Sequence, residues 1–276
     1  MRTCFPSTKA GPSIAQNSEG AMNGDLGHRL LGLSVILFGG ITLAAHEFGL
    51  LQLGNGTAGT IATCIVGAAY VVGGVLILVP ATLRAGSALT AVVFGASALV
   101  YLYSIATHLS VAGIWDGLFE RLGIFCGALV VFACTSDRHS APLLAGARVL
   151  FGVCIVSYTL AQALFLNATA TLVPHWLPPG QMFWAALTTV AFALAAISFL
   201  SGWLTRLASW LLTLMILVFG VTIWIPKAIE APSSLFVWSE FAWTFAIASV
   251  AWIFADQLRS TSAEPTHPLH PQASRP

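Results

Sequence analysis

Eight long apolar runs, separated by short polar or turn-forming segments, dominate the chain: residues 30–51, 57–79, 86–107, 118–134, 149–166, 182–201, 207–225 and 235–254. Each approaches the about 20 apolar residues that a helix needs to cross the hydrocarbon of a bilayer. In that medium the backbone must bond within its own structure, which leaves only helices and closed barrels. A barrel strand would alternate polar and apolar side chains over about ten residues, and no segment does so. The pattern predicts an all-α membrane protein with eight transmembrane helices.

Composition agrees. Hydrophobic residues make up 57% of the chain and charged residues 8%, with a mean hydropathy of +0.87, whereas soluble domains carry about 25% charged residues. A formal net charge of +1, with no dense basic patch, leaves no pull toward nucleic acid; membrane lipids are the partners implied. Arg29, Arg84, Arg138, Arg148, Arg206 and Arg259 fall near span ends on one side, and only Arg121 and Lys227 on the other. Cytoplasmic loops collect Lys and Arg, so both termini are expected in the cytoplasm. Residues 1–28 lack the apolar centre of a signal peptide. They read as a disordered tail, as does the polar, proline-rich segment 258–276, with residues 135–147 as a cytoplasmic linker.

Three markers recur in order in the two halves. Arg29-Leu30-Leu31-Gly32 opens the first run and Arg148-Val149-Leu150-Phe151-Gly152 the fifth; Arg84 precedes the third and Arg206 the seventh; Glu120 begins the fourth and Glu240 the eighth. The offsets are 119, 122 and 120 residues. This predicts two tandem four-helix bundles, residues 29–134 and 148–257, as a parallel internal repeat about an axis along the membrane normal.

Between the fifth and sixth runs stands TLVPHWLPPGQMFWAA, with Pro174, His175, Trp176, Pro178, Pro179 and Trp184 packed against an apolar helix start. Prolines stiffen such a turn and tryptophans suit the headgroup layer, so the segment reads as an interfacial elbow. Together with Arg148 to Gly152, Phe183-Trp184, Arg206-Leu207-Ala208 and the closing run from Trp243 to Asp256, it resembles the DoxX family of bacterial four-helix membrane proteins. The resemblance covers residues 148–257, and 29–134 only through the repeat. It implies a four-helix fold in the bacterial inner membrane. It also implies a role as an accessory or anchoring subunit of a redox or envelope-stress system, with a redox-protein partner. Where family members carry histidines in the first helix and the next, this chain has Gln162 and Phe192, so no histidine site is implied in the second half.

Ionisable residues in a bilayer cost roughly 2.5 to 3.5 kcal/mol each at mid-span, so those near span ends on one side matter most: His46, Glu47, His108, Asp116, Glu120 and Arg121, then Gln162, His175, Lys227, Glu230 and Glu240. Glu120 and Glu240 occupy matching places in the repeat, the arrangement a small-solute or quinone or lipid transporter would use at the repeat interface. Alternatively each acid complements the positive end of its helix. His46 and His108 end two runs on the same side and could hold a haem iron, as in a haem-bearing membrane redox protein, or, with Glu47 or Glu120, a metal. The five cysteines, Cys4, Cys64, Cys126, Cys134 and Cys154, form no CxxC and read as small apolar residues. No phosphate loop, nucleophile elbow or zinc spacing appears. No cofactor and no catalytic activity are therefore called for.

Overall fold

The computed structural model describes residues 14–45, 56–107, 112–135 and 141–262. These form α1 (Ile14–Ala45), α2 (Gly56–Leu78), α3 (Leu83–Thr107), α4 (Ala112–Cys134), α5 (Ala141–Leu164), the short α6 (Leu166–Leu172), α7 (Gln181–Ser201), α8 (Thr205–Phe219), α9 (Ile225–Glu230) and α10 (Leu235–Ser262). Among the described residues there is no strand, and eight helical segments are long and apolar enough to cross a membrane. The protein is a multi-pass helical membrane protein.

Its inside and outside fit lipid as the solvent. Val92, Leu99 and Leu214 are more than 60% exposed, while Ser87, Thr90, Ser97, Ser209 and Ser249 are buried. Water would not tolerate such an apolar surface. The four serines donate within their own helices, as Ser97 does to the Val93 carbonyl and Ser209 to the Thr205 carbonyl, both at 2.7 Å, because hydrocarbon offers them nothing else.

The helices form a circuit. From α1 to α5 each packs on its neighbour in the chain; α5 then meets α7, α7 meets α8, α8 meets α10, and α10 returns to α1. Across the middle, α10 also packs on α4. Residues 29–134 and 148–257 therefore share one apolar core, running from Leu31 and Phe94 to Phe151 and Phe199.

Close approach explains where the glycines lie. A Cβ on Gly39 would stand 2.7 Å from the Gly67 carbonyl oxygen, and one on Gly74 would stand 2.6 Å from that of Gly32, so α1 and α2 touch backbone to backbone. Such contact drives association in lipid, where apolar burial cannot. Gly123 against Ile247 and Gly127 against Val250 set α4 and α10 side by side and parallel.

The ends of the elements differ from the sequence boundaries. Residues 14–28, expected as a disordered tail, are helical from Ile14; α5 starts inside the expected linker and α10 continues to Ser262. Once a span is helical, each added residue needs no new nucleation, so helices outrun the apolar runs that identify them. For the same reason α4 begins at Ala112, and Glu120 lies about 12 Å along it at 1.5 Å per residue. The first-turn dipole reading of Glu120 is thereby corrected. The seventh run is not a uniform helix either. Between α8 and α9 it makes a π-helical turn, Gly220–Trp224, just before Pro226, which has no N–H to continue the α-helical ladder.

Candidate functional site

A cavity of about 710 Å³ lies where the two halves of the chain meet, walled by residues of α1, α3, α4, α5, α6, α7, α8 and α10. Helical periodicity aligns its polar residues. Asp116, Gly117, Glu120 and Arg121 share one face of α4, and Glu240, Trp243, Thr244 and Ile247 one face of α10, because positions three and four apart are neighbours on a helix surface. The rim is apolar and exposed, formed by Phe165, Leu172, Leu235 and Phe236.

Arg121 is held inside the wall. Its side chain is only 3% exposed. One guanidinium nitrogen donates to the Gly117 carbonyl at 2.9 Å; the guanidinium stacks 4.0 Å from the centre of the Tyr101 ring and 5.7 Å from that of Phe38. It reaches Glu120 at 3.8 Å and lies against the hydroxyl of Tyr70, which in turn is 2.6 Å from Ser97 Oγ. Gly117 makes this cage possible, since a Cβ there would fall 2.1 Å from the Tyr101 ring.

The carboxylates are placed differently. Glu120 is 24% exposed and carries the ion pair with Arg121. Glu240 and Asp116 hold no hydrogen bond or ion pair with another described residue, yet both line the cavity, and Asp116 acts electrostatically on Glu240. Lys227 also acts on Glu240, but its ammonium sits over the Trp224 ring, 5.2 Å from the centroid. On the opposite wall Gln162 accepts from the Thr189 hydroxyl at 3.2 Å, and the Tyr158 hydroxyl donates to the Phe119 carbonyl at 3.0 Å.

Of the residues singled out from sequence, Asp116, Glu120, Arg121, Gln162 and Glu240 are thus brought together. His46, Glu47 and His108 lie outside the described residues, and with them the haem or metal reading. Among the described residues no group of three His, Cys, Asp or Glu stands close enough to hold a metal. The elbow is a separate feature. Trp176 is 72% exposed, the Trp184 indole donates to the Pro178 carbonyl at 2.9 Å, and Gln181 bonds the Val173 carbonyl. His175, Pro174 and Pro179 lie in this turn without lining the cavity. The elbow contributes instead through α6, whose Thr169 and Leu172 line the cavity.

Sequence reasoning missed the aromatic half of the site. Of the four tyrosines in the chain, Tyr101 and Tyr158 line the cavity and Tyr70 backs Arg121. The available signal was a phenol within an apolar run, which must find a partner when buried. Cys126 faces Cys154 across α4 and α5, both buried and free.

No family model matches the chain, and neither a curated protein nor a solved structure matches it.

Proposed function

We propose that this is a carrier of the bacterial cytoplasmic membrane, both termini cytoplasmic, that binds one small amphiphilic molecule in the cavity between its halves. The observation that carries the reading is the cavity itself: three carboxylates and a guanidinium converge on about 710 Å³ inside an otherwise apolar bundle. Charges within spans are retained at a cost of roughly 2.5 to 3.5 kcal/mol each, and they mark ligand or ion pathways. The volume falls in the 300 to 1,000 Å³ range of small-molecule sites. A polar floor beneath an apolar rim suits a molecule with a polar head and an apolar body.

Two further features support a carrier over a static anchor. The first helix of each half packs on the last helix of the other, α1 on α10 and α5 on α4. An internal repeat with a site at its interface would give this contact pattern. In addition, a π-helical turn followed by Pro226 lies within the seventh span beside cavity residues Ile216 and Phe219, and π-turns inside α-helices are frequent at functional sites. A membrane subunit of a redox system, the role implied by the DoxX-like resemblance, would use the same cavity to hold a quinone.

Native mass spectrometry of protein released from its own membrane tests the proposal. Wild type is expected to carry an adduct below about 1 kDa, within the size class of such cavities. The adduct should be lost in Ala161→Trp, which fills the cavity from α5. A quinone mass would favour the redox subunit. Bare protein in both preparations would overturn ligand binding.

A further inference from the structure

We infer that the cavity selects a lipophilic cation, an amine or quaternary onium compound, with Glu240 as its counter-ion. The inference rests on the cavity being a ligand site, and it follows from which charges remain available there. Among the described residues Arg121 is the only cationic one in the wall, and it is already engaged: Tyr101 covers one face, the Gly117 carbonyl takes an N–H, and Glu120 balances its charge. An anionic head would have to break that cage or remain unpaired. Lys227, the other cation near Glu240, is drawn onto Trp224 and does not line the cavity.

Glu240 and Asp116 remain, neither with a hydrogen-bonded or ion-paired protein partner among the described residues. An unpaired carboxylate away from water is costly, and a cation between the two would relieve both. The walls add the second half of the recognition. Trp243 is one turn from Glu240 on α10, with Phe236 on its other side and Phe165 and Phe219 across the space. Ring faces attract a cation by about 0.5 to 2 kcal/mol each, Trp most strongly, and aromatic walls with a carboxylate are how quaternary ammonium groups are recognised. Hydrophobic substituents on such a cation would then lie against the apolar rim.

Two ions of the same shape and opposite charge decide the matter. Binding of tritiated tetraphenylphosphonium to the full chain is measured in nanodiscs of neutral phosphatidylcholine, and tetraphenylborate and the neutral decylubiquinone are each titrated alone against the same nanodiscs. Saturable binding of the cation is expected, weakened at least tenfold in Glu240→Gln, retained within threefold in Glu240→Asp, and less affected by Glu120→Gln because Glu120 already serves Arg121. Retention in the aspartate variant shows that loss in the glutamine variant is a loss of charge and not of folding. Equal binding in wild type and Glu240→Gln would overturn the inference, as would binding of tetraphenylborate, titrated alone, with an affinity similar to that of the cation. If decylubiquinone binds wild type but not Ala161→Trp while the cation does not bind, the cavity stands as a site and its cation selectivity fails. If none of the three binds, both fail.

Discussion

Arg121 shows how one residue can be costly and still structural. Its guanidinium is 3% exposed and partnered by Tyr101, Glu120 and the Gly117 carbonyl. Replacing it removes a desolvated cation–π contact and leaves Glu120 without its counter-charge. Arg121→Ala is therefore expected to lower stability by about 3 kcal/mol, the order found when one partner of a buried pair is removed. Arg121→Lys should recover only part of this, because an ammonium keeps the charge but not the planar stack on Tyr101. Denaturation in detergent micelles checks both, and a lysine variant as stable as wild type would show that charge alone matters. The four polar members of this cluster were legible in the sequence because charged residues stand out against an apolar background. Tyr101, Tyr158 and Trp243 were not, since an aromatic residue in a membrane span has the same appearance whether it faces lipid, core or cavity. That Asp116 and Glu240 line one cavity follows from the packing of α4 on α10.

Helix contacts carry the next consequence. Gly39 and Gly40 are adjacent on α1 and chemically identical, yet a Cβ on Gly39 would meet the Gly67 carbonyl at 2.7 Å while one on Gly40 meets nothing within 4 Å. Gly39→Ala should cost about 1 to 3 kcal/mol, the usual cost of overpacking. Gly40→Ala should be neutral or stabilising by up to about 1 kcal/mol through helix propensity. Thermal unfolding of the two variants side by side reads the difference, and equal behaviour would show that α1 and α2 do not meet through this seam. All eight spans could be read from their apolar runs, because the requirement to satisfy the backbone in lipid is so strong. Their ends could not: helices continue past the hydrocarbon into polar sequence, as α1, α4 and α10 do. The turn at Gly220–Trp224 was hidden for another reason. Pro226 signals a missing N–H, but only the neighbouring chain, here the Phe245 ring against Gly220, decides whether the helix ends, kinks or takes up an extra residue.

The molecule as a whole presents lipid with leucine and valine and turns its hydroxyls, carboxylates and guanidinium inward. Its halves meet along α4 and α10, and the cavity sits on that seam. A closed bundle would have buried those charges in pairs or done without them, and the proposed ligand would reconcile the charge placement with the lipid surroundings. The most direct measurement is an electron cryo-microscopy map of the full chain in nanodiscs of its native lipids, at a resolution that shows side chains. Density for one small molecule between Trp243 and Asp116, with its polar end within hydrogen-bonding or ion-pairing distance of Glu240, is the predicted result. A map of equal quality in which Glu240 pairs with Lys227 and the cavity has closed, or contains only water, would contradict it.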